Sequence, residues 1–387
     1  MQQNNITSPS GGQPLSFQFT GSGFEYFKIW IVNLCLTVIT LGIYSAWAKV
    51  RRNRYFYGNT QLAGDAFEYL ANPISILKGR LIAVAFFVAL SMSQHFSVML
   101  YGILILVFLV LFPWILVRAL VFRARNTAFR NIRFTFRGTY GQAFLNFLLL
   151  PALPAIFIFA PMFLFQPNAQ TDFTPMLVSA GVGLLLVLAF APYFLYRQKR
   201  WFIDNSGFGT DRFDFDARVI DYYKVFGVML LMILALGGVF ALFGGIAMAS
   251  LGGKAGGDIQ ATVAGYWFLG MAAFYLVVLV IYGFIFAYAN ARFSNIMFCG
   301  TRIDGHQFEA DLSAWGLFKV YLINLLGIIF TLGLFIPWAK VNIARYMADH
   351  VYLIPNGDLD RFVADQQSAV AAVGEEMGEM FDIDIGL

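Results

Sequence analysis

Five long stretches of this chain contain no Asp, Glu, Lys or Arg, and they dictate the solvent in which it folds. They are 81–117, 138–171, 173–196, 225–253 and 259–291. A helix needs about 20 mostly apolar residues to cross the hydrocarbon layer of a bilayer. The first stretch is long enough for two helices and each of the others for one. The sequence therefore predicts six membrane spans, roughly at 76–95, 98–120, 142–165, 175–197, 224–249 and 263–290.

The overall composition supports a membrane protein. Charged residues make up 12% of the chain and hydrophobic residues 59%, whereas soluble domains carry about 25% charged residues. A soluble fold of this size has no use for so much apolar surface. We therefore expect an all-α polytopic membrane protein, with irregular or β-structure confined to the polar segments between its helices.

The cations are distributed very unevenly between the two sets of loops. The predicted turns near 95, 170 and 255 hold Lys254 alone, and the opposite loops hold nearly all other Lys and Arg residues. Cytoplasmic loops of membrane proteins carry an excess of Lys and Arg. The sequence therefore predicts that the basic loops and both chain termini are cytoplasmic.

Four polar cassettes of one design separate the apolar stretches, at 59–69, 126–136, 205–215 and 300–310. Each begins with Asn or Gly, continues with Ser or Thr, and has a Phe seven residues after that hydroxyl residue. These phenylalanines are Phe67, Phe134, Phe213 and Phe308. Alternation around a turn residue predicts a β-hairpin in each cassette, and Phe17–Phe19 resembles a fifth second arm. The hairpins either pair into a layer beneath the helices or act as amphipathic connectors in the headgroup region.

The first and last apolar segments are related to each other. Residues 27–55 align with 318–346 without a gap, and identical positions include Asn33 with Asn324 and Thr40 with Thr331. The pattern predicts an internal duplication within a membrane domain at 17–353. It is flanked by a disordered segment at 1–16 and an acidic tail at 354–387.

These two segments have two interpretations. Segment 318–339 follows a cassette and segment 27–48 precedes one, so a shared orientation puts both ends of both segments on the cytoplasmic side. Each would then be re-entrant, bending at its Thr-Leu-Gly triplet. The alternative is two ordinary spans of opposite orientation, which gives eight crossings. We favour the re-entrant interpretation.

The polar residues supply two sets of candidate site residues, and the sequence predicts no catalytic residue, metal site or cofactor. His95, His306 and His350 are scattered, and no catalytic combination accompanies them. The candidate polar lining of a pathway is Asn33, Thr37, Thr40, Asn324 and Thr331. The candidate contacts to anionic lipid headgroups are Lys49, Arg51, Arg52, Arg54, Arg123, Arg125, Arg200, Lys340 and Arg345. A packing role explains the first set equally simply, and a topological role explains the second.

Two further features have open interpretations. The tail from Asp358 carries eight acidic residues and one Arg, and it is either a solvated disordered end or a segment that folds back on the basic loops. Paired glycines at 237–238, 244–245 and 252–253 form a small-residue stripe, which serves an internal contact or the seam of a homo-oligomer.

The blocks Thr40-Leu41-Gly42-Ile43-Tyr44 and Trp47-Ala48-Lys49-Val50-Arg51, together with Trp30, Asn33, Asn59-Thr60 and the Phe-x-Phe arms, resemble the YjgN-like family. The resemblance covers residues 17–353. It implies a polytopic protein of the bacterial inner membrane and brings no activity or catalytic residue. The second copy departs from the block at Phe335 and Pro337.

Two functional hypotheses follow, and neither is enzymatic. The first is a passive pore or transport-like protein, based on the re-entrant pair. The second is a membrane scaffold or anionic-lipid-binding protein that acts through a basic cytoplasmic layer. The expected partners are the lipid bilayer, particularly its anionic lipids, and a second copy of the chain; nucleic acid is not expected.

Overall fold

The fold is described from a computed structural model, for residues 13–164, 174–251 and 257–383. Several features of the sequence lie outside these ranges. They are the first twelve residues of the predicted disordered N-terminus, the predicted turn near 170, the glycine pair at 252–253, Lys254, and the last four residues of the acidic tail.

Helices and short strands alternate along the chain. The helices are α1 (Gly23–Ile39), α2 (Ser45–Gly58), α3 (Pro73–Phe96), α4 (Val98–Arg125), α5 (Tyr140–Phe144), a π-helical turn (Leu145–Leu149), α6 (Leu150–Leu164), α7 (Thr174–Asp204), α8 (Val219–Leu251), α9 (Gly257–Cys299), α10 (Ala314–Phe330), α11 (Ile336–Asp349) and α12 (Leu359–Ile383). The strands are β1 (Leu15–Phe19), β2 (Thr60–Leu62), β3 (Asp65–Tyr69), β4 (Thr127–Phe129), β5 (Ile132–Phe136), β6 (Ser206–Phe208), β7 (Asp211–Arg212), β8 (Asp214–Phe215), β9 (Thr301–Ile303), β10 (His306–Ala310) and β11 (Val351–Ile354).

The prediction of six membrane spans is confirmed. Within the described ranges, six helical segments are long and apolar enough to cross a bilayer. They are Pro73–Phe96, Val98–Arg125, Tyr140–Phe159, Met176–Asp204, Val219–Leu242 and Ala273–Cys299. At most 22% of the most apolar window of any of these segments is buried inside the protein. Their apolar side chains therefore face outward, as expected of helices that lipid surrounds.

The strands form one antiparallel sheet that returns almost to its own start. The strand order is β7-β6-β5-β4-β3-β2-β1-β11-β10-β9-β8. The two outermost strands, β7 and β8, are separated in the chain only by Phe213 and are two halves of one hairpin arm. The first half pairs with β6 and the second with β9. The predicted hairpins are thus joined into a nearly closed barrel of ten strand positions, here called the barrel.

The barrel is assembled from five units of the same element order. Each unit has a strand, two helices (the first helix of the third unit being α5, the π-turn and α6) and a returning strand. Within a unit the two strands pair with each other, as β1 does with β2 and β3 with β4. Successive units are joined by the tight hairpin turns. β11 is the partner that the sequence pattern lacked for β1, and their pairing connects the fifth unit to the first.

The residues that the cassettes share at their start cap the C-terminal ends of the preceding helices. The hydroxyl that begins each first arm donates a hydrogen bond to the carbonyl four residues earlier, as from Thr60 to Phe56 (2.8 Å) and from Ser206 to Phe202 (2.7 Å). The preceding Asn side chain does the same, as from Asn59 to Tyr55 (2.8 Å). Side chains thereby satisfy carbonyl groups that a helix end leaves unpaired. Each such helix therefore stops at the point where its strand begins.

The first and last units contain short helical hairpins in place of long ones. α1 and α10 have 17 residues each and α2 and α11 have 14. Their tips bend through residues with positive φ, Leu41-Gly42 in one and Leu332-Gly333 in the other. The hydroxyls of Thr40 and Thr331 accept hydrogen bonds from backbone N–H groups four residues later, both at 2.9 Å. The outer ends of each hairpin join strands of the barrel.

The interpretation of the acidic tail as a disordered end is wrong for its described residues. From Leu359 the chain forms the amphipathic helix α12, which turns back onto the barrel. Apolar residues at 359, 362 and 363 are spaced to share one helix face. They pack into the end of the barrel that carries the hairpin turns. The apolar periodicity of this segment outweighs its high acidic content.

Phe208 provides a test of the barrel core. Its ring is 5% exposed and lies 5.3 Å from that of Phe134 and 6.1 Å from that of Phe362. Because truncation of a buried Phe removes apolar contact and leaves a cavity, we expect Phe208→Ala to lower the free energy of unfolding by about 3–5 kcal/mol. Denaturation of the detergent-solubilised protein measures this loss. Phe159→Ala is the control, since its ring is 56% exposed; an equal loss in both variants would contradict the assignment of the core.

Candidate functional site

Ten apolar side chains line the interior of the barrel. They are Phe17, Leu62, Phe67, Phe129, Phe134, Phe208, Phe213, Ile303, Phe308 and Leu353. Phenylalanines from neighbouring units lie close to one another, with ring centres 6.2 Å apart for Phe17 and Phe67 and 6.3 Å apart for Phe213 and Phe308. Such distances are typical of favourable aromatic pairs. The phenylalanine shared by all four cassettes therefore points to the barrel axis.

The barrel interior is not filled completely. A cavity of about 240 Å³ lies within it, and two neighbouring cavities of about 350 and 410 Å³ lie between the barrel and the helix ends. Phe67 lines all three. We call this set of adjoining cavities the chamber. Each cavity alone is near or within the size range of small-molecule sites, about 300–1,000 Å³.

The chamber is closed, at the end opposite the hairpin turns, by the C-terminal ends of the helices that precede the returning strands. Each of the five units contributes two residues to this wall, at the same distance from its returning strand. In every unit these residues precede the first residue of the returning strand by three and four positions. They are Phe56 and Tyr57, Arg123 and Ala124, Phe202 and Ile203, Met297 and Phe298, and Met347 and Ala348. Nine of these ten residues are apolar or aromatic. Arg123 is the exception and brings a cation to the chamber wall.

Further cations continue this wall away from the barrel. Arg52 lies four residues before Phe56, and Lys49 lies eight before Tyr57, so they share the chamber-lining side of α2. Lys340 has the same relation to Ala344 and Ala348, which line the chamber from α11. Together with Arg123 of α4, these residues form a group that we call the cation cluster: Lys49, Arg52, Arg123 and Lys340.

Lys49 lies within electrostatic range of Arg52 and Arg123, and Lys340 lies within range of Arg52. Burial lowers the pKa of the Lys49 ammonium, and the positive charges of Arg80, Arg52 and Arg123 lower this pKa further. Burial also lowers the pKa of Lys340, with a smaller contribution from Arg52. Within residues 13–164, 174–251 and 257–383, no member of the cluster forms an ion pair with a carboxylate. Lys49, Arg52 and Lys340 are half-buried and Arg123 is exposed. Like charges held together without counter-ions favour the binding of an anion.

The other predicted headgroup contacts lie elsewhere. Arg51 donates to the Tyr44 hydroxyl, Arg54 to the Tyr69 carbonyl and Arg345 to the Gly21 carbonyl, at 3.0, 3.4 and 3.1 Å. Arg200 pairs with Asp204 at 3.3 Å. Arg125 is exposed in the last turn of α4. The structure thus brings four of the nine predicted cations into one cluster.

The predicted polar lining lies in the two short helical hairpins. Thr37, Thr40 and Thr331 donate to carbonyls four residues earlier in their own helices. Asn324 is buried, donates to the Ala339 carbonyl (3.2 Å) and accepts from the Asn342 amide (2.9 Å). Asn33 is buried as well, and its side-chain oxygen has no hydrogen-bond partner among the described residues. A conduction role for these residues stays a prediction, and the chamber walls are formed by other residues.

Sequence reasoning missed the chamber-lining positions at the helix ends. The signal for them was present, because they stand at a fixed offset from the hydroxyl residue of each cassette. Most of these chamber-lining residues are apolar, however, so the sequence pattern does not distinguish them from the ends of the membrane spans.

α12 closes the chamber at the end that carries the hairpin turns. Phe362 and Val363 are buried there, and Leu359 packs beside them against the barrel interior. His306 lies beneath this helix, 2% exposed, with its ring 4.8 Å from that of Phe362. The Asn356 N–H donates to its Nδ1 at 3.0 Å. This hydrogen bond requires an unprotonated Nδ1.

Comparison with known proteins agrees with this architecture. A family model described as "Bacterial protein of unknown function (DUF898)" matches residues 14–380. The chain belongs to the DUF898 family. This member is 26% identical over 381 residues to inner membrane protein YjgN of Salmonella typhimurium, with 92% of each chain covered. It is 28% identical over 368 residues to inner membrane protein YjgN of Escherichia coli K12, with 89% of each covered.

These relatives confirm the predicted resemblance to the YjgN-like family. With the six candidate spans, they establish this family member as a multi-pass inner-membrane protein. No solved structure matches the chain.

His306 makes the contact of α12 sensitive to pH. Burial lowers the pKa of its imidazole, an effect only partly opposed by the Asp304 carboxylate. The unfolded state therefore binds a proton more readily, and stability should fall as the pH drops below about 6.5, the ordinary His pKa. We expect acidification to lower the protection of residues 359–370 against hydrogen exchange in the wild-type protein, with protection measured relative to the intrinsic exchange rate at each pH. His306→Gln should remove this dependence; an unchanged pH dependence in that variant would contradict the role of His306.

Proposed function

We propose that the protein binds an anionic phospholipid, with the headgroup at the cation cluster and an acyl chain in the chamber. One observation carries this proposal: Arg123 lies in the wall of an apolar, phenylalanine-lined cavity, and Lys49, Arg52 and Lys340 follow on the chamber-lining sides of α2 and α11 without a carboxylate partner among the described residues. This polarity matches that of an amphiphile with a negative head. The bilayer around the six spans supplies such molecules at high local concentration.

The energetics favour a ligand of this kind. Each CH₂ group buried in an apolar site contributes about 0.8 kcal/mol to the free energy of binding, so a long acyl chain binds the chamber more tightly than a short one. A cation near a lipid headgroup contributes about 1 kcal/mol. A small polar solute would gain from the cluster alone and would leave the chamber unfilled.

A passive pore, the other function expected from the sequence, has less support. Phenylalanine side chains converge on the barrel axis, and α12 lies across the barrel end. A path along this axis is constricted and apolar, which disfavours water and hydrated ions. Lipid binding accounts for the cation cluster and the apolar chamber together.

The orientation that we propose places the barrel, α12 and both termini in the cytoplasm. The strongly one-sided distribution of Lys and Arg supports this orientation. The short hairpins would then be re-entrant. In support, α1 spans only about 25 Å at 1.5 Å per residue, which is less than the hydrocarbon thickness of about 30 Å. The exposed apolar tips at Leu41 and Leu332 would rest in the hydrocarbon layer.

Lipid binding can be tested on the cluster directly. We expect the double variant Arg52→Gln/Lys340→Gln to bind phosphatidylglycerol more weakly by about 2 kcal/mol, or roughly thirtyfold, because two headgroup cations are lost. Native mass spectrometry of the purified protein, titrated with phosphatidylglycerol, measures the affinity. Ala124→Phe, which adds a ring at the chamber wall, should also weaken binding without removing any charge.

The control for net charge is Arg125→Gln/Arg133→Gln. Both residues are exposed and lie outside the chamber lining. This double variant should retain the affinity of the wild-type protein. Equal weakening by the cluster and control variants would show that lipid binds only through surface charge, and would overturn the proposal.

Single cysteines test the orientation. In a background with Cys35→Ser and Cys299→Ser, we expect Gln13→Cys and Ala63→Cys to react with a membrane-impermeant maleimide only after the inner membrane is permeabilised. Leu41→Cys should stay protected until detergent is added, since the tip lies in hydrocarbon. Labelling of Gln13→Cys without Ala63→Cys from the periplasmic side would instead support two ordinary spans of opposite orientation, and labelling of both would place the barrel in the periplasm.

A further inference from the structure

α12 is attached to the barrel differently from every other element. The ring of strand pairs runs from β1 to β11 without it. It begins after the last strand and is joined to the barrel through the short segment Pro355–Asp358. The barrel is therefore completed by its own strands, and α12 is an addition to one end.

The apolar part of this attachment that is described, up to residue 372, points into the chamber. Within that part Phe362 and Val363 are buried, and Leu359 is half-buried beside them. All three line the cavity inside the barrel. Farther along the helix, Val370 is 43% exposed. The first turns of α12 therefore act as a stopper.

The polar contacts around this stopper combine one exposed ion pair with the buried side chain of Gln366, which is 6% exposed. Arg130 bridges the carboxylates of Asp65 and Asp360, and the Asp360 side chain is 78% exposed. The Gln366 oxygen accepts from the backbone N–H (2.9 Å) and the hydroxyl (3.0 Å) of Thr210. Its amide donates to Asp211 at 2.7 Å. The exposed ion pair is weak, so the hydrogen bonds of Gln366 are the main polar contacts that hold the closed helix in place.

A hinge precedes the helix. Gly357 has a φ of +94°, a conformation that side chains rarely adopt, and no heavy atom crowds the position of its absent Cβ. Before it, Asn356 is held by its hydrogen bond to His306. After it, Asp358 caps the first turn of α12 by accepting from the Asp360 N–H at 2.9 Å. Rotation at Gly357 would move α12 as a unit and leave Asn356 in place.

We infer that α12 is a lid over a second opening of the chamber, through which a bound phospholipid can leave towards a soluble acceptor. The inference rests on the proposed lipid binding and adds an exit route to it. With the lid closed, the ligand exchanges only with the bilayer. With the lid open, the apolar ring of the barrel faces water and offers the acyl chain to a carrier on that side.

A disulfide can lock the lid without removing it. An ideal Cβ at Gly209 lies 3.4 Å from the Cβ of Gln366, close to the range of about 3.5–4.5 Å for disulfides. Gly209 has a positive φ of 61°, but Ala63, Arg130 and Asp304 adopt similar φ at the equivalent turn positions. A cysteine is therefore tolerable there. The lock is Gly209→Cys/Gln366→Cys in a background with Cys35→Ser and Cys299→Ser.

A matched disulfide serves as the control. An ideal Cβ at Gly305 lies 3.4 Å from the Cβ of Asn356, so Gly305→Cys/Asn356→Cys staples the same end of the barrel to the segment before the hinge. This staple should leave the lid free to move. It controls for the oxidant, for the loss of a turn glycine, and for a cross-link at this end of the barrel.

The experiment follows the extraction of fluorescent phosphatidylglycerol by albumin from nanodiscs that contain the full-length protein. We expect the reduced lock variant and both forms of the control to release lipid faster than empty nanodiscs. Oxidation of the lock should reduce extraction to the background rate, and dithiothreitol should restore it. Binding of the lipid, measured by native mass spectrometry, should not change on oxidation.

The outcomes separate the two proposals. Lipid that binds equally well but is extracted at the same rate from oxidised and reduced lock variants would overturn the lid and leave lipid binding intact. Extraction at the empty-nanodisc rate from all forms would likewise overturn it. A reduced protein that binds no phosphatidylglycerol would refute the proposed function itself, and the lid with it.

Discussion

The structure depends on the closure of its sheet into a ring of ten strand positions, none longer than five residues. The arm 211–215 pairs with β6 through its first half and with β9 through its second, so the sheet has almost no unpaired edge. An isolated hairpin is barely stable in water, and an open sheet presents unpaired backbone groups to other chains. Pairing all five hairpin units into one ring solves both problems. The helices depend on this ring, since each unit's helices are connected to it at both ends.

The ring also determines where apolar surface can accumulate. Alternation along each strand sends the cassette phenylalanines to the axis, and direct cross-strand pairs such as Phe67 with Phe129 and Phe134 with Phe208 put two large side chains at the same level. Interiors of about eight strands are just filled by side chains. The larger circumference here leaves the chamber, whose wall then continues into cations at Arg123, Arg52 and Lys340. A ligand with an apolar chain and a negative head matches that gradient.

The two ends of the chamber differ in construction. At the helix end the wall is made by residues close to the strand ends, which are fixed by hydroxyl and Asn caps. At the hairpin-turn end the covering helix follows a glycine hinge and is held by an exposed ion pair and by the hydrogen bonds of the buried Gln366. His306 lies under that helix as a titratable group. Opening at this end would break no strand pair of the barrel.

The sequence alone determined the membrane class, the six spans and the hairpins, because hydrophobic length and strand alternation are local properties. It also supplied all four cations of the cluster, although among nine candidates. Only the tertiary structure decided which of them meet, since Lys49, Arg123 and Lys340 come from three helices far apart in the chain. Ring closure was equally hidden: β1 pairs with β11 across more than 300 residues, and the partner strand carries no cassette motif. The sequence did not predict the folding back of α12, because its high acidic content favours disorder. The short apolar face at 359–363 stabilises the helix only through contact with the barrel.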